Sequence, residues 1–259
     1  MFGFIDHLAQ YTPLYMLIFA RISAMVMVMP VLGFSTVPVR VRVLLAFVLT
    51  LVVAPMLSAI MSYVPANLWQ LAADVTREVF IGLLVGYGAQ IVFEGVMVAG
   101  SYVGFQLGLA IMNVIDPTSQ DQMPIVGNFW MLVILMFFIL TNAHYFLIET
   151  IFLNFKIIHP ASAQFSAALG RTVIRSGSMI FEMAIHFAAP IMIFILMFDV
   201  AVSFIARVMP QMNIFFVSLP LKLAFGLFLL IVSLNIFQSM FGYMVDQMQG
   251  LVTQIIRGI

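Results

Sequence analysis

Cysteine is absent from the 259 residues. Disulfides, thiolate nucleophiles and cysteine-based metal sites are therefore excluded. Charge is scarce as well. Only 8% of the residues are Asp, Glu, Lys or Arg, against roughly 25% in a soluble domain. The ten basic and ten acidic residues cancel, so the chain lacks the excess positive charge that binding to nucleic acid requires. There is no Walker A loop, no GxGxxG after a strand, no HExxH and no GxSxG. His7, His144, His159 and His186 are scattered without ligand spacing. Neither an enzyme nor a metal or cofactor site is expected. The opening MFGFIDHLAQ carries Asp6 and no basic region, so no cleavable signal peptide is expected there.

What fills the chain instead is apolar. Hydrophobic residues make up 64% and the mean hydropathy is +1.18. Such a chain cannot cover a water-facing surface, and the expected class is an all-α, polytopic helical membrane protein. About six apolar runs have the roughly 20-residue length a bilayer demands. They are Leu14–Phe34, Val43–Tyr63, a third from Val79 toward Ile115, Ile125–Ile148, Met183–Ala206 and Leu223–Val245. Arg21 lies inside the first and should face protein, because a lone charge in lipid is costly. Pro55 and Pro190 interrupt two runs. The third run is too long for one span and is expected to bend at its glycines, Gly82, Gly86 and Gly88 among them. Broken and kinked helices are therefore expected. Pro65–Thr76 reads as a short amphipathic connection, Asn154–Phe165 as a loop, and Ser166–Glu182 as an interfacial or docking helix with Arg171, Arg175 and Glu182 on one face. Met244, Met248, Leu251, Val252, Ile255 and Ile259 keep the spacing of one helical face in the tail. Loop charges do not set an orientation: Arg77, Lys156, Arg171, Arg175 and Arg257 oppose Arg40, Arg42, Arg207 and Lys222.

The most distinctive stretch is GSYVGFQLGLAIMNVIDPTSQDQMPIVGNFW, residues 100–130. Gly100, Gly104 and Gly108 recur every fourth residue and would share a helix face, letting another backbone come close. Asp116-Pro117-Thr118-Ser119 then favours a turn. Irregular backbone in so apolar a chain must lie outside the lipid, be buried against protein or line a cavity. It reads either as a plain connection between membrane helices or as a loop that closes a passage. Glu94, Glu182 and Asp199 lie in or near apolar runs. Asp199 or Glu94 would be the working carboxylate if the chain were a stand-alone proton- or ion-coupled transporter.

Three stretches carry a resemblance: RISAMVMVMPVLGFSTVPVRVRVLLAF, the 100–130 segment with Gly104, Gln106, Asp116-Pro117, Ser119 and Pro124, and RVMPQMNIFFVSLPLKLAFGL. Together they resemble the FliR family of export-gate proteins of the bacterial flagellar type III secretion system, which has an equivalent in injectisomes. The C-terminal part is also similar to the FliQ family, at Ala188-Ala189-Pro190, Gln211, Asn213, Ser218, Pro220, Lys222 and Tyr243-Met244. The resemblance implies a FliP-like helical part over 1–182 and a FliQ-like helical hairpin with an amphipathic tail over 183–259. It implies a subunit that joins FliP and FliQ homologues in a hetero-oligomeric channel for unfolded flagellar substrates. An FlhB homologue would lie at the channel's entry side, and the site would be the flagellar basal body in the inner membrane. In that family a loop plugs the channel, and it corresponds here to Gln106–Met123. The sealing stretch is then Gly108, Leu109, Ala110, Ile111, Met112, Asn113 and Val114. Lys222, beside Pro220, would either contact an acidic group of a partner subunit or snorkel to water.

Overall fold

The computed structural model describes residues 2–33, 37–58, 61, 63–109, 124–211 and 213–259, with backbone alone at 2–10, 214, 215 and 236. Helix accounts for 85% of it, without strands among the described residues. The helices are α1 (Phe2–Val28), α2 (Val39–Ser58), α3 (Leu68–Gln106), α4 (Ile125–Leu140), α5 (His144–Ile157), α6 (Ala167–Val208) and α7 (Ile214–Gly258). Five are long and apolar enough to cross a membrane, or up to six if α4 and α5 count as one broken span.

Several boundaries differ from those expected. The connection from Pro65 is drawn into α3, which runs from Leu68 without interruption for 39 residues. At 1.5 Å per residue that is about 58 Å, nearly twice the hydrocarbon thickness. Its glycines do not break it, because they are used to admit neighbours. A Cβ at Gly82 would collide with the carbonyl of Arg21 and stand 2.7 Å from Ala24 Cβ. One at Gly86 would meet Val28 Cβ at 3.0 Å. Packing against α1 outweighs the roughly 1 kcal/mol that each helical glycine costs.

The run 125–148, by contrast, is cut in two. Asn142 takes the left-handed conformation, φ 60°, which asparagine tolerates better than most side chains. The preceding Thr141 turns its hydroxyl back onto the Phe137 carbonyl at 2.8 Å. Helix α5 then continues through Asn154 to Ile157, where a loop was expected. The amphipathic segment from Ser166 and the fifth run merge into α6, 42 residues. The sixth run and the tail merge into α7, 45 residues. Pro13, Pro55, Pro190 and Pro220 lie inside helices, each removing one backbone hydrogen bond.

The chain packs as two compact units. One comprises Met1–Ile91, Asn142–Ser176 and Met248–Ile259. Its core takes Leu14, Leu17, Ile18, Ile22, Met25 and Met29 of α1 and Ile81, Val85 and Ala89 of α3, all with no exposed surface. The end of α7 closes on α3, where a Cβ at Gly88 would stand 2.6 Å from Ile255 Cδ1. The carbonyl of Gly258 accepts from the Ser166 hydroxyl at 2.7 Å.

The other unit comprises Val92–Thr141 and Gly177–Gln247. Aromatic rings pair within its core. Trp130 and Phe187 each meet Phe237, with ring centres 5.3 Å and 5.5 Å apart, and Phe93 meets Phe138 edge-on at 5.5 Å. Each such ring pair adds about 0.5–1.5 kcal/mol to the burial itself.

Burial is uneven among the long helices. The most apolar, membrane-length part of α3 is 67% buried, whereas those of α6 and α7 are 17% and 22% buried. Large apolar residues on α6, such as Ile193, Leu196, Met197 and Phe204, are exposed. Surface of that kind and extent requires lipid or neighbouring protein to cover it.

Candidate functional site

The stem of the 106–123 loop is built in the second unit. Gly100 on α3 lies against Gly127 on α4 so closely that a Cβ at Gly100 would overlap the Gly127 backbone. Gly104, one turn on, has more room. Its Cβ would meet only Val126 Cγ2, at 3.7 Å, an ordinary contact. Gly108 lies beyond the helix and shares no face with them. Its φ is 79°, and Leu109 N–H donates to the Gly104 carbonyl (3.1 Å) while Gly108 N–H donates to that of Phe105 (3.0 Å). This is a Schellman cap, in which glycine takes the left-handed position at the end of the helix. Leu107 is buried and sits where a Cβ on Gly226 of α7 would be. Two glycine-mediated contacts thus fix where the chain leaves α3 and where it enters α4. Of the expected sealing residues, Gly108 and Leu109 fall at the helix cap. Ala110, Ile111, Met112, Asn113 and Val114 lie outside the described residues.

A second constellation was not expected as a whole. Arg21 faces protein, as its place in an apolar run requires, and is completely buried. Its Nε donates to Glu78 Oε2 in a short charged contact. Its Nη1 donates to Asn154 Oδ1 and to the Ile158 carbonyl, both at 2.8 Å. The guanidinium lies 4.6 Å from the centre of the Phe155 ring. Glu78, also fully buried, accepts from Ala161 N–H at 2.9 Å. One cluster therefore joins α1, α3, α5 and the turn after α5. Glu78 went unread because Arg77 and Glu78 look like an ordinary charged pair at a helix start. Asn154 went unread because it was placed in a loop. The only signal available was the requirement that Arg21 find a carboxylate.

Tyr63 and Asp74 form a smaller contact nearby. Tyr63 Oη donates to Asp74 Oδ2 at 2.6 Å, and Arg77 Nη1 to Asp74 Oδ1 at 3.1 Å. Burial first, then the hydrogen bond to Asp74, push the Tyr63 phenol up to about 12. In the unfolded chain the phenol titrates near about 10. From there upward the unfolded state sheds the proton while the folded state keeps it, so stability falls as pH rises. Thermal melting of the detergent-solubilised protein between pH 9 and 12 should show a decline that Tyr63→Phe reduces. Parallel curves for the two proteins would contradict it.

The remaining polar candidates are less concentrated. Lys222 meets a carboxylate of its own chain, Asp199 Oδ2, at 2.8 Å. Glu94 and Glu182 are exposed. His186 packs on Tyr243 with ring centres 5.3 Å apart, and His144 on Tyr145 at 4.4 Å. Among the described residues no group of three or more His, Asp or Glu could hold a metal ion.

Comparison with known proteins places the chain in a family. Residues 12–248 match the bacterial export proteins, family 1. The flagellar biosynthetic protein FliR of Bacillus subtilis is 30% identical over 250 residues, covering 94% of this chain and 96% of that protein. FliR of Caulobacter vibrioides is 30% identical over 85% of this chain and 87% of its own length. FliR of Escherichia coli is 26% identical over 91% and 90% respectively. The match reaches into every helix, and the chain belongs to the bacterial export proteins of family 1, the family of FliR.

Proposed function

We propose that the chain is a subunit of the flagellar export gate. In this reading it assembles with FliP and FliQ homologues around a channel for unfolded export substrates in the bacterial inner membrane. The observation that carries the reading is the near end-to-end similarity to proteins named for flagellar biosynthesis. The exposed apolar surface of α6 and α7 supports it, since neighbouring subunits would cover what a monomer leaves bare. The likeness of residues 183–259 to FliQ suggests that this part docks beside FliQ as one more hairpin, with 1–182 the FliP-like remainder. An FlhB homologue and exported flagellar proteins would be the other partners. The transporter alternative draws no support from its carboxylates: Asp199 is paired with Lys222 and Glu94 is exposed.

Within that gate the 106–123 loop seals the channel at rest. Its stem is held by Gly100 against Gly127 and by the Gly108 cap, which gives the loop a fixed base. Deleting residues 110–114 spares the cap. In the assembled complex the deletion should raise leakage of small ions and solutes, measured in proteoliposomes or as growth sensitivity. Wild-type permeability in a fully assembled deletion complex would remove the sealing role.

A further inference from the structure

Between residues 7 and 73 there is no acidic residue, while Arg21, Arg40 and Arg42 all fall in that stretch. The three arginines have different surroundings. Arg21 is buried against Glu78. Arg42 turns back on the chain, its Nε and Nη2 donating to the Val37 carbonyl at 3.0 Å and 2.7 Å. Arg40 is exposed and makes no hydrogen bond or ion pair among the described residues. It lines an open groove of about 430 Å³ whose other walls are Phe19, Val39, Val43, Leu44 and Phe47. Val39, Val43 and Phe47 recur every fourth residue, with Leu44 beside them, so the groove follows one face of α2. The exposed apolar face goes on through Leu51 and Val52.

We propose that this groove binds one anionic phospholipid, with an acyl chain along the apolar face of α2 and the phosphate on Arg40. Three observations choose that occupant. The wall is apolar except for a single cation at one end, which complements an amphiphile with one anionic head. Helix α2 has 20 residues, or about 30 Å, matching the hydrocarbon core. Arg40 lies in its first turn, at one end of that length. The guanidinium presents paired N–H donors to a phosphate, and the first turn of a helix adds favourable potential of the same sign. A protein partner would have to place a carboxylate at Arg40 and a matching ridge in the groove.

Native mass spectrometry of the purified full chain tests this, with phosphatidylglycerol, phosphatidylcholine of the same acyl chains, and inorganic phosphate as separate probes. The wild type should retain phosphatidylglycerol in preference to phosphatidylcholine, and should not retain phosphate alone. Arg40→Gln, at an exposed position, should lower phosphatidylglycerol retention about fivefold, the effect of about 1 kcal/mol for one basic residue at an anionic surface. Leu44→Asn should lower retention of both lipids. Equal phosphatidylglycerol retention by wild type and Arg40→Gln would overturn the proposal, as would retention of free phosphate. A benzophenone side chain placed at Leu44 and irradiated in membranes should cross-link to lipid. Cross-linking to a protein would assign the groove to a partner and overturn the lipid site.

Discussion

Glu78→Ala should cost about 3–5 kcal/mol, the range found when one partner of a buried ion pair is removed. The size follows from what is left behind. Arg21 would remain with no exposed surface and no carboxylate, although Asn154 and the Ile158 carbonyl would still accept from it. The Ala161 N–H would also lose its acceptor. Arg21→Met should cost somewhat less, because Glu78 would keep the Ala161 N–H as a donor. The double variant Arg21→Met with Glu78→Leu removes both charges. It should be more stable than the sum of the single losses requires, by about 0.5–3 kcal/mol of coupling. Full recovery is not expected, since Asn154, Ile158 and Ala161 would each keep an unmatched polar group, at about 1–3 kcal/mol for each one left buried. The readout is the thermal melt of the detergent-solubilised protein together with its level in the membrane. Additive losses would show that the two side chains do not depend on one another.

Gly100→Ala should be the most damaging single methyl in the 100–130 stretch. The added Cβ would overlap the Cα and nitrogen of Gly127, and backbone cannot swing aside as a side chain does. Helices α3 and α4 would have to separate, an overpacking cost at or above the upper end of about 1–3 kcal/mol. The gain in helix propensity, about 1 kcal/mol for Gly to Ala, does not offset it. Gly104→Ala is the matched control. Its Cβ would stand 3.7 Å from Val126, so the change should be neutral within about 1 kcal/mol. Equal melting temperatures for the two variants would mean that the stem is not closed at Gly100.

These contrasts show how far the amino-acid sequence could be read. Local periodicity was legible. Of the expected one-face set, Met244, Met248, Leu251, Val252 and Ile255 are buried and Ile259 is half-buried. The need of Arg21 for a partner was legible from its cost in an apolar run, but the partner's identity was not. Glu78 stands 57 residues away, and only the tertiary fold selects it. The Gly100 and Gly104 spacing suggested one close-packed face, yet spacing cannot say which glycine another backbone approaches. The continuity of α3 was hidden for the same reason, since glycines that look like bends are contact points. The break at Asn142 was hidden because the apolar run passes through it and a single left-handed residue leaves little trace in hydropathy. The Lys222–Asp199 pair was within reach of neither periodicity nor motif.

The most direct measurement is co-expression of the chain with FliP and FliQ homologues, followed by affinity purification through this chain and imaging of the particle. The expected result is a discrete hetero-oligomer containing all three proteins. A monodisperse chain that purifies alone and captures neither FliP nor FliQ at matched expression would contradict the assignment as an export-gate subunit.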